Sequence, residues 1–291
     1  MTLTPRVSAW RDRGVSEPAC GRRVHVFHRD GRRPVLLLLH GFPSSSFDWR
    51  PMLEAEREHA VLAFDCLGFG LSEKPARHDY SLAEQADIAE ELIATHHAGD
   101  PVFAVGHDMG TSVATELMAR DLEGGLDMEL RGALLFNGSM IQGAASPTIA
   151  QRMLRGRAGA LFARLSSERF FRQQFGSIFS DAHPLSDEEA ADQWCLIAHD
   201  GGRRLGHRLI SYMDEREAKA ERWHGALRDW PKPLHLAWGK QDPVATLRVL
   251  DAVRALRPQA PLTCLDELGH YPQIEDPAAI AAVLRGALDA E

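Results

Sequence analysis

Cysteine is scarce in this chain, and long hydrophobic runs are missing from it. The four cysteines are scattered at Cys20, Cys66, Cys195 and Cys264, which fits neither a disulfide framework nor a zinc site. The longest aliphatic run, residues 35–39, is far too short to cross a bilayer. No apolar segment follows the N-terminal charges, so we expect no signal peptide. These features predict free thiols and a cytoplasmic protein with no stable membrane insertion.

An excess of positive charge is also missing. The formal net charge is −8, which argues against nucleic acid as the main partner. Of the 291 residues, 44% are hydrophobic and 25% are charged, which is ordinary globular composition. This length suits one large α/β domain or a core with an inserted lid. The sequence predicts no metal or cofactor and leaves the oligomeric state open.

Short apolar runs alternate with helical patterns, which predicts an α/β fold with a mostly parallel sheet covered on both faces. The predicted strands are residues 23–27, 35–39, 60–64, 102–105, 133–136, 234–238 and 262–265, and the predicted helices are residues 82–96, 111–121, 246–256 and 277–288. Between residues 140 and 226 only helical patterns occur. We therefore predict a core of residues 1–139 and 227–291, with residues 140–226 inserted as a helical cap.

A candidate nucleophile follows the strand predicted at residues 102–105. Gly106-His107-Asp108-Met109-Gly110 has the spacing of a Gly-x-Ser-x-Gly nucleophile elbow, with aspartate in place of serine. Serine attack on a saturated carbon would give an ether, which water cannot readily cleave. Aspartate attack gives an ester, which an activated water can hydrolyse. The motif therefore predicts an alkyl electrophile such as an epoxide or a haloalkane.

Two further candidates follow Asp108 in the chain order nucleophile, acid, histidine. Asp242 comes just after one predicted strand, and His270 lies in the loop after the next. We predict that His270 is the base that activates water and that Asp242 orients it. Asp266 and Glu275 compete for the acid role, but neither sits at the end of the preceding strand.

One part of an oxyanion hole is predicted from residues that precede Asp108 in the chain. Gly41 lets the backbone turn after residues 35–39, so that the N–H of Phe42 can face the pocket. Together with the N–H of Met109, it would stabilise the oxyanion that forms when water attacks the ester.

These motifs resemble those of the epoxide hydrolase and haloalkane dehalogenase branch of the α/β-hydrolase superfamily. The matching stretches are His40-Gly41-Phe42-Pro43, residues 65–72, Gly106 to Gly110, and Gly269-His270-Tyr271-Pro272-Gln273. The resemblance covers nearly the whole chain and implies the α/β-hydrolase fold with an inserted cap. It implies a cofactor-independent hydrolase acting on a small lipophilic substrate.

Two departures from the dehalogenase pattern favour epoxide hydrolysis to a diol. Met109 stands where dehalogenases usually place a halide-binding tryptophan, and Phe42 stands where they often have asparagine. The family protonates the epoxide oxygen with one or two cap tyrosines, and Tyr212 is the sole candidate for that role here. Either one donor suffices, or His207 or Trp194 assists, or the substrate is not an epoxide. We place the substrate pocket at His40, Trp49, Asn137, Trp194 and Tyr271.

Two alternatives remain open at this stage. Dehalogenation of a haloalkane or haloacid uses the same nucleophile, and a non-catalytic ligand-binding protein could keep the same pocket. The predicted cap also carries arginines interleaved with leucine and phenylalanine between residues 152 and 172. This pattern suits a solvated outer face with an apolar underside, or a surface that rests on a membrane.

Overall fold

A computed structural model describes residues 2–290, and within them eight strands form one sheet. The strands are β1 (Val15–Ala19), β2 (Arg22–Arg29), β3 (Arg32–Leu39), β4 (His59–Phe64), β5 (Val102–His107), β6 (Leu130–Phe136), β7 (Leu234–Gly239) and β8 (Leu262–Leu265). Their order is β1-β2-β4-β3-β5-β6-β7-β8. β2 is the one strand that runs in the direction opposite to the other seven. All seven predicted strands are present, while β1 is an addition. The prediction of a mostly parallel α/β sheet is confirmed.

Helices cover both faces of this sheet and fill the long connection between β6 and β7. They are α1 (Pro5–Arg13), α2 (Arg50–Ala55), α3 (Leu82–His96), α4 (Met109–Leu122), α5 (Ile149–Arg155), α6 (Gly159–Leu165), α7 (Glu168–Gly176), α8 (Asp187–Ala198), α9 (Gly206–Leu209), α10 (Tyr212–Ala218), α11 (Ala220–Asp229), α12 (Leu247–Leu256), α13 (Pro272–Glu275) and α14 (Pro277–Asp289). Short 3₁₀ segments occur at Ser46–Trp49, Gln142–Ala144 and His199–Leu205.

The central strands are apolar on both faces because both faces are covered. In β3, Leu37 and Leu39 join the hydrophobic cluster on one side of the sheet, while Leu36 and Leu38 join the cluster on the other side. This explains why residues 35–39 form an uninterrupted aliphatic run rather than an alternating one. The carboxyl ends of the parallel strands meet at one edge, where ligands bind in folds of this kind.

The connection between β6 and β7 contains α5 to α11 and no strand, as its sequence predicts for residues 140–226. The predicted boundary at residue 226 falls inside α11, which packs against α4 of the core. A third hydrophobic cluster joins this insertion to the core; Phe171, Phe175 and Trp194 of the insertion pack there with Tyr271 of the core. That residues 140–226 form a separate cap unit stays a prediction.

Candidate active site

Asp108 occupies the sharp turn between β5 and α4. Its backbone has φ 45° and ψ −110°, a conformation that side-chain-bearing residues rarely adopt. The flanking glycines make the turn possible. A Cβ at Gly106 would lie 2.9 Å from the carbonyl oxygen of Gly110, and a Cβ at Gly110 would overlap the carbonyl oxygen of Leu39. The spacing of small residues around Asp108 is therefore a steric requirement of this turn.

The two carboxylate oxygens of Asp108 have different surroundings. Oδ2 accepts a hydrogen bond of 2.9 Å from the N–H of Phe42, as the oxyanion prediction requires of that residue. Oδ1 is buried and accepts no hydrogen bond within the described residues. Oδ1 is therefore the carboxylate oxygen that is free of hydrogen bonds from residues 2–290.

Met109, the second predicted oxyanion donor, is the first residue of α4. The N–H groups of a first helical turn have no carbonyl partner in their own helix.

His270 and Asp242 lie together at the same edge of the sheet. Nδ1 of His270 donates a hydrogen bond of 2.7 Å to Oδ2 of Asp242. The other oxygen, Oδ1 of Asp242, accepts from the N–H groups of Val244 and Ala245, at 2.7 and 3.0 Å. This arrangement fixes the proton of neutral His270 on Nδ1, so that Nε2 carries the lone pair.

The competing acids have other partners. Glu275 accepts hydrogen bonds from the N–H groups of Gly269, Ser180 and Tyr271, and it therefore holds the loop around His270. Asp266 forms an ion pair of 2.8 Å with Lys240.

Opposing effects act on the charge of His270. Burial disfavours the imidazolium, but the adjacent Asp242 carboxylate outweighs burial, with a smaller contribution from Asp108, and the pKa of His270 is raised above 6.5. Burial instead lowers the pKa of His107 well below that value. Nε2 of His107 donates a hydrogen bond of 2.7 Å to the carbonyl oxygen of His270, so neutral His107 helps to position the loop that carries His270.

A largely apolar cavity of about 120 Å³ opens beside His270, and Asp108 is buried outside its lining. Its wall combines core residues, among them Phe42 and His270, with side chains of the insertion. The aromatic contributions of the insertion are Phe162, Phe170, Phe171, Phe175 and Trp194.

Of the five predicted pocket residues, only Trp194 lines this cavity. The other four are buried outside its lining, and their role in a substrate pocket stays a prediction. The side-chain amide of Asn137 donates a hydrogen bond of 2.7 Å to Oδ2 of Asp242. Trp49 is fully buried and packs against Phe136. Each is held by its own packing or hydrogen bonds, which the sequence motifs do not reveal.

The remaining two predicted pocket residues, His40 and Tyr271, are also held in place by hydrogen bonds and packing. Nε2 of His40 accepts a hydrogen bond of 2.9 Å from the N–H of Cys66, while its Nδ1 donates to the carbonyl oxygen of Gly41. The ring of Tyr271 stacks on Phe179, and its hydroxyl donates a hydrogen bond of 3.3 Å to the carbonyl oxygen of Phe42. Both side chains therefore support the loop that contains Gly41 and Phe42.

Tyr212 begins α10 and is buried outside the cavity lining. Its ring centroid lies 5.7 Å from that of Phe42. Burial and then the negative charge of Asp108 raise the pKa of Tyr212, whereas Arg216 opposes the rise. The phenol is therefore protonated at neutral pH and lies within electrostatic reach of Asp108. His207, considered as an additional donor, lies outside the cavity lining.

Arg216 is the site residue that sequence reasoning missed. This arginine of α10 is almost completely buried, and its Nη2 lies 3.9 Å from Oδ1 of Asp108. Nη2 also donates a hydrogen bond of 2.9 Å to the backbone carbonyl of Asp108, and Nε donates one of 2.8 Å to the hydroxyl of Ser112. Its position four residues after Tyr212, on the same helix face, was the available signal.

Known proteins resemble this chain over most of its length. The alpha/beta hydrolase family matches residues 36–283. "Putative hydrolase LipZ" of Mycobacterium tuberculosis is 51% identical over 96% of both chains. The mesoderm-specific transcript protein of Mus musculus is 32% identical, over 94% of this chain and 85% of that protein.

Solved structures share the fold at lower identity. The epoxide hydrolase CorEH superposes with a TM-score of 0.77 at 19% identity, covering 95% of this chain and 98% of that one. The haloalkane dehalogenase DatA from Agrobacterium tumefaciens superposes with a TM-score of 0.79 at 21% identity, covering 95% and 96%. With the family match and the relatives, the chain belongs to the alpha/beta hydrolase family.

Proposed function

We propose that this hydrolase opens small lipophilic epoxides to diols through an ester on Asp108. The observation that carries the proposal is the pairing of an aspartate at the elbow with a His270–Asp242 hydrogen bond at the same sheet edge. A carboxylate at this position suits attack on a saturated carbon, and the imidazole suits activation of water against the resulting ester.

In the first step, Oδ1 of Asp108 attacks an epoxide carbon and the carbon–oxygen bond of the ring breaks. Oδ1 suits this role because it accepts no hydrogen bond within residues 2–290, whereas Oδ2 is held by the N–H of Phe42. The departing oxygen takes the phenolic proton of Tyr212. The products of this step are a hydroxyalkyl ester and a tyrosinate, with the positive charge of Arg216 close to both positions.

In the second step, Nε2 of His270 removes a proton from water as the water oxygen attacks the carboxyl carbon of the ester. Negative charge develops on Oδ2 of Asp108, where the N–H groups of Phe42 and Met109 would stabilise it. Cleavage of the acyl–oxygen bond releases the diol, which takes up the proton held by His270. The carboxyl proton that remains returns to Tyr212, restoring the starting state.

The cavity supports a small apolar substrate. Its volume of about 120 Å³ is similar to that of an engineered apolar cavity of about 150 Å³ that binds benzene. The insertion contributes four phenylalanines and Trp194 to its wall. Aryl or short alkyl epoxides therefore suit this space.

Dehalogenation is the second candidate, because Trp194 lines the cavity and carries an indole N–H that could bind a halide. The structural likeness to DatA is consistent with it. The thioether of Met109, next to the nucleophile, offers no such donor. We therefore rank epoxide opening first.

Trapping the ester in a His270→Gln variant tests the proposal. Incubation with styrene oxide should add the full mass of the epoxide to the peptide that contains Asp108, as measured by mass spectrometry. An alkyl bromide would instead add its mass less that of hydrogen bromide. Asp108→Asn/His270→Gln should give no adduct, and His207→Gln, a histidine substitution outside the cavity lining, should keep turnover. Ligand binding without an adduct from any epoxide or haloalkane would favour the non-catalytic alternative.

A further inference from the structure

Exposed apolar side chains are concentrated on one edge of the insertion. Residues 2–290 contain seven exposed large hydrophobic side chains, and four of these lie on α5 and α6. Leu165 and Leu161 are the most exposed of the seven, at 72% and 60%, followed by Ile149 at 55% and Met153 at 46%. Single exposed hydrophobic residues are common, but such a concentration marks a surface that contacts something other than water.

The spacing of these four residues places them in two pairs. Ile149 and Met153 are four residues apart on α5, and Leu161 and Leu165 are four residues apart on α6, so each pair shares one helix face. The two helices pack against each other. We call this surface, formed by Ile149, Met153, Leu161 and Leu165, the apolar edge.

Positive charge surrounds the apolar edge in a protein that is negative overall. Residues 149–172 include six arginines and one acidic residue, although the formal net charge of the chain is −8. Arg155 and Arg172 form ion pairs with nearby carboxylates. The four others are exposed, and none has a carboxylate within ion-pair distance in the described part of the chain; they are Arg152, Arg157, Arg164 and Arg169.

The same helices form part of the cavity wall. Leu154 of α5 and Phe162 of α6 line the cavity, while their neighbours Met153 and Leu161 point into solvent. The wall between the apolar edge and the candidate active site is therefore one helix thick at these positions.

We propose that the apolar edge and its arginines adsorb to an anionic lipid surface, from which lipophilic molecules enter the cavity. Apolar side chains next to unpaired arginines are the combination that binds the interface of an anionic bilayer. A second copy of the chain is a poorer occupant, because a two-fold contact through this edge would bring the arginine cluster against itself. Adsorption needs no inserted span, and no helix in residues 2–290 has the length and hydropathy to cross a bilayer.

Vesicle co-sedimentation tests this proposal without assuming the reaction. Wild-type protein should bind vesicles of phosphatidylglycerol and phosphatidylcholine, and it should bind pure phosphatidylcholine at least tenfold more weakly. Arg152→Glu/Arg164→Glu should weaken binding to the anionic vesicles by at least 25-fold, since each arginine at such a surface contributes roughly fivefold. Leu161→Ser/Leu165→Ser should weaken it comparably.

Matched controls use equivalent residues elsewhere on the surface. Leu122→Ser/Leu247→Ser changes two other exposed leucines, at 44% and 42%, and Arg248→Glu/Arg254→Glu changes two exposed arginines of α12. Both should bind like wild type, and all variants should keep the wild-type unfolding temperature. Equal loss in these controls, or equal binding to both vesicle types, would overturn the proposal. So would a dimer in analytical ultracentrifugation that Leu161→Ser/Leu165→Ser dissociates, because it would assign the edge to a second copy.

Discussion

Replacing Arg216 with methionine removes a buried positive charge beside Asp108 and keeps a long, unbranched side chain in its place. In the native protein, Arg216 Nη2 lies 3.9 Å from Asp108 Oδ1, and both side chains are almost inaccessible to water. The substitution leaves the Asp108 carboxylate buried without its countercharge. It also removes the hydrogen bonds that Arg216 donates to Ser112 and to the Asp108 carbonyl.

The distance sets the expected magnitude. Two unit charges 3.9 Å apart attract by about 4 kcal/mol at an effective dielectric constant of about 20. Removing one partner of a buried pair typically costs about 3–5 kcal/mol, because the other charge stays buried and unpaired. We therefore expect Arg216→Met to lower the free energy of unfolding by about 4 kcal/mol at pH 7.

Urea unfolding, followed by circular dichroism, measures this loss. The series consists of wild type, Arg216→Met, Asp108→Asn and the double variant, and we expect a coupling energy of about 3 kcal/mol between the two sites. Arg155→Met is the matched control, since Arg155 pairs with Asp214 at the surface and should cost less than about 1 kcal/mol. An Arg216→Met effect as small as that control, or strictly additive effects of the two changes, would mean that Arg216 does not stabilise the buried Asp108 carboxylate.

Two further predictions concern pH and packing. Burial opposes the positive charge of His270, but Asp242 overcomes it and raises the pKa of His270 above 6.5. Because His270 must be neutral to accept a proton, kcat should fall as the pH drops through that raised pKa, and Asp242→Asn should move this limb of the pH–rate profile to lower pH. Gly110→Ala should lower the free energy of unfolding by about 3 kcal/mol, because its Cβ overlaps the carbonyl of Leu39. Gly286→Ala, with open space around its Cβ and a better helix former, should be neutral or stabilising in the same urea titration.

The sequence predicts the core of the fold because its signals there are local. Residues 35–39 form a short aliphatic run typical of a strand covered on both faces, and Gly106 and Gly110 allow the turn at Asp108. The carboxyl ends of parallel strands lie at the same edge of a sheet, so the sequence alone predicts that the motifs around Phe42, Asp108 and His270 share that edge.

The sequence does not predict which side chains of the insertion face the site. Arg216 comes 108 residues after the carbonyl that it contacts, and only the packing of α10 against the core brings them together. The surroundings of the predicted pocket residues depend on contacts of the same long-range kind. Asn137 follows β6 and Tyr271 follows His270, and their hydrogen bonds to Asp242 and to the Phe42 carbonyl hold them outside the cavity lining. The edge strand β1 was missed because it is short and largely exposed, with burial only at its end.

The fate of the water oxygen distinguishes an ester on Asp108 from direct attack of water on the epoxide. In a single turnover with enzyme in excess over an epoxide in ¹⁸O-labelled water, an ester on Asp108 would be cleaved at its acyl–oxygen bond. If Asp108 is the nucleophile, the label appears in the peptide that contains Asp108, and the first diol released is unlabelled. Label in the diol, with Asp108 unlabelled, would mean that water attacks the epoxide directly and would contradict the nucleophilic role of Asp108.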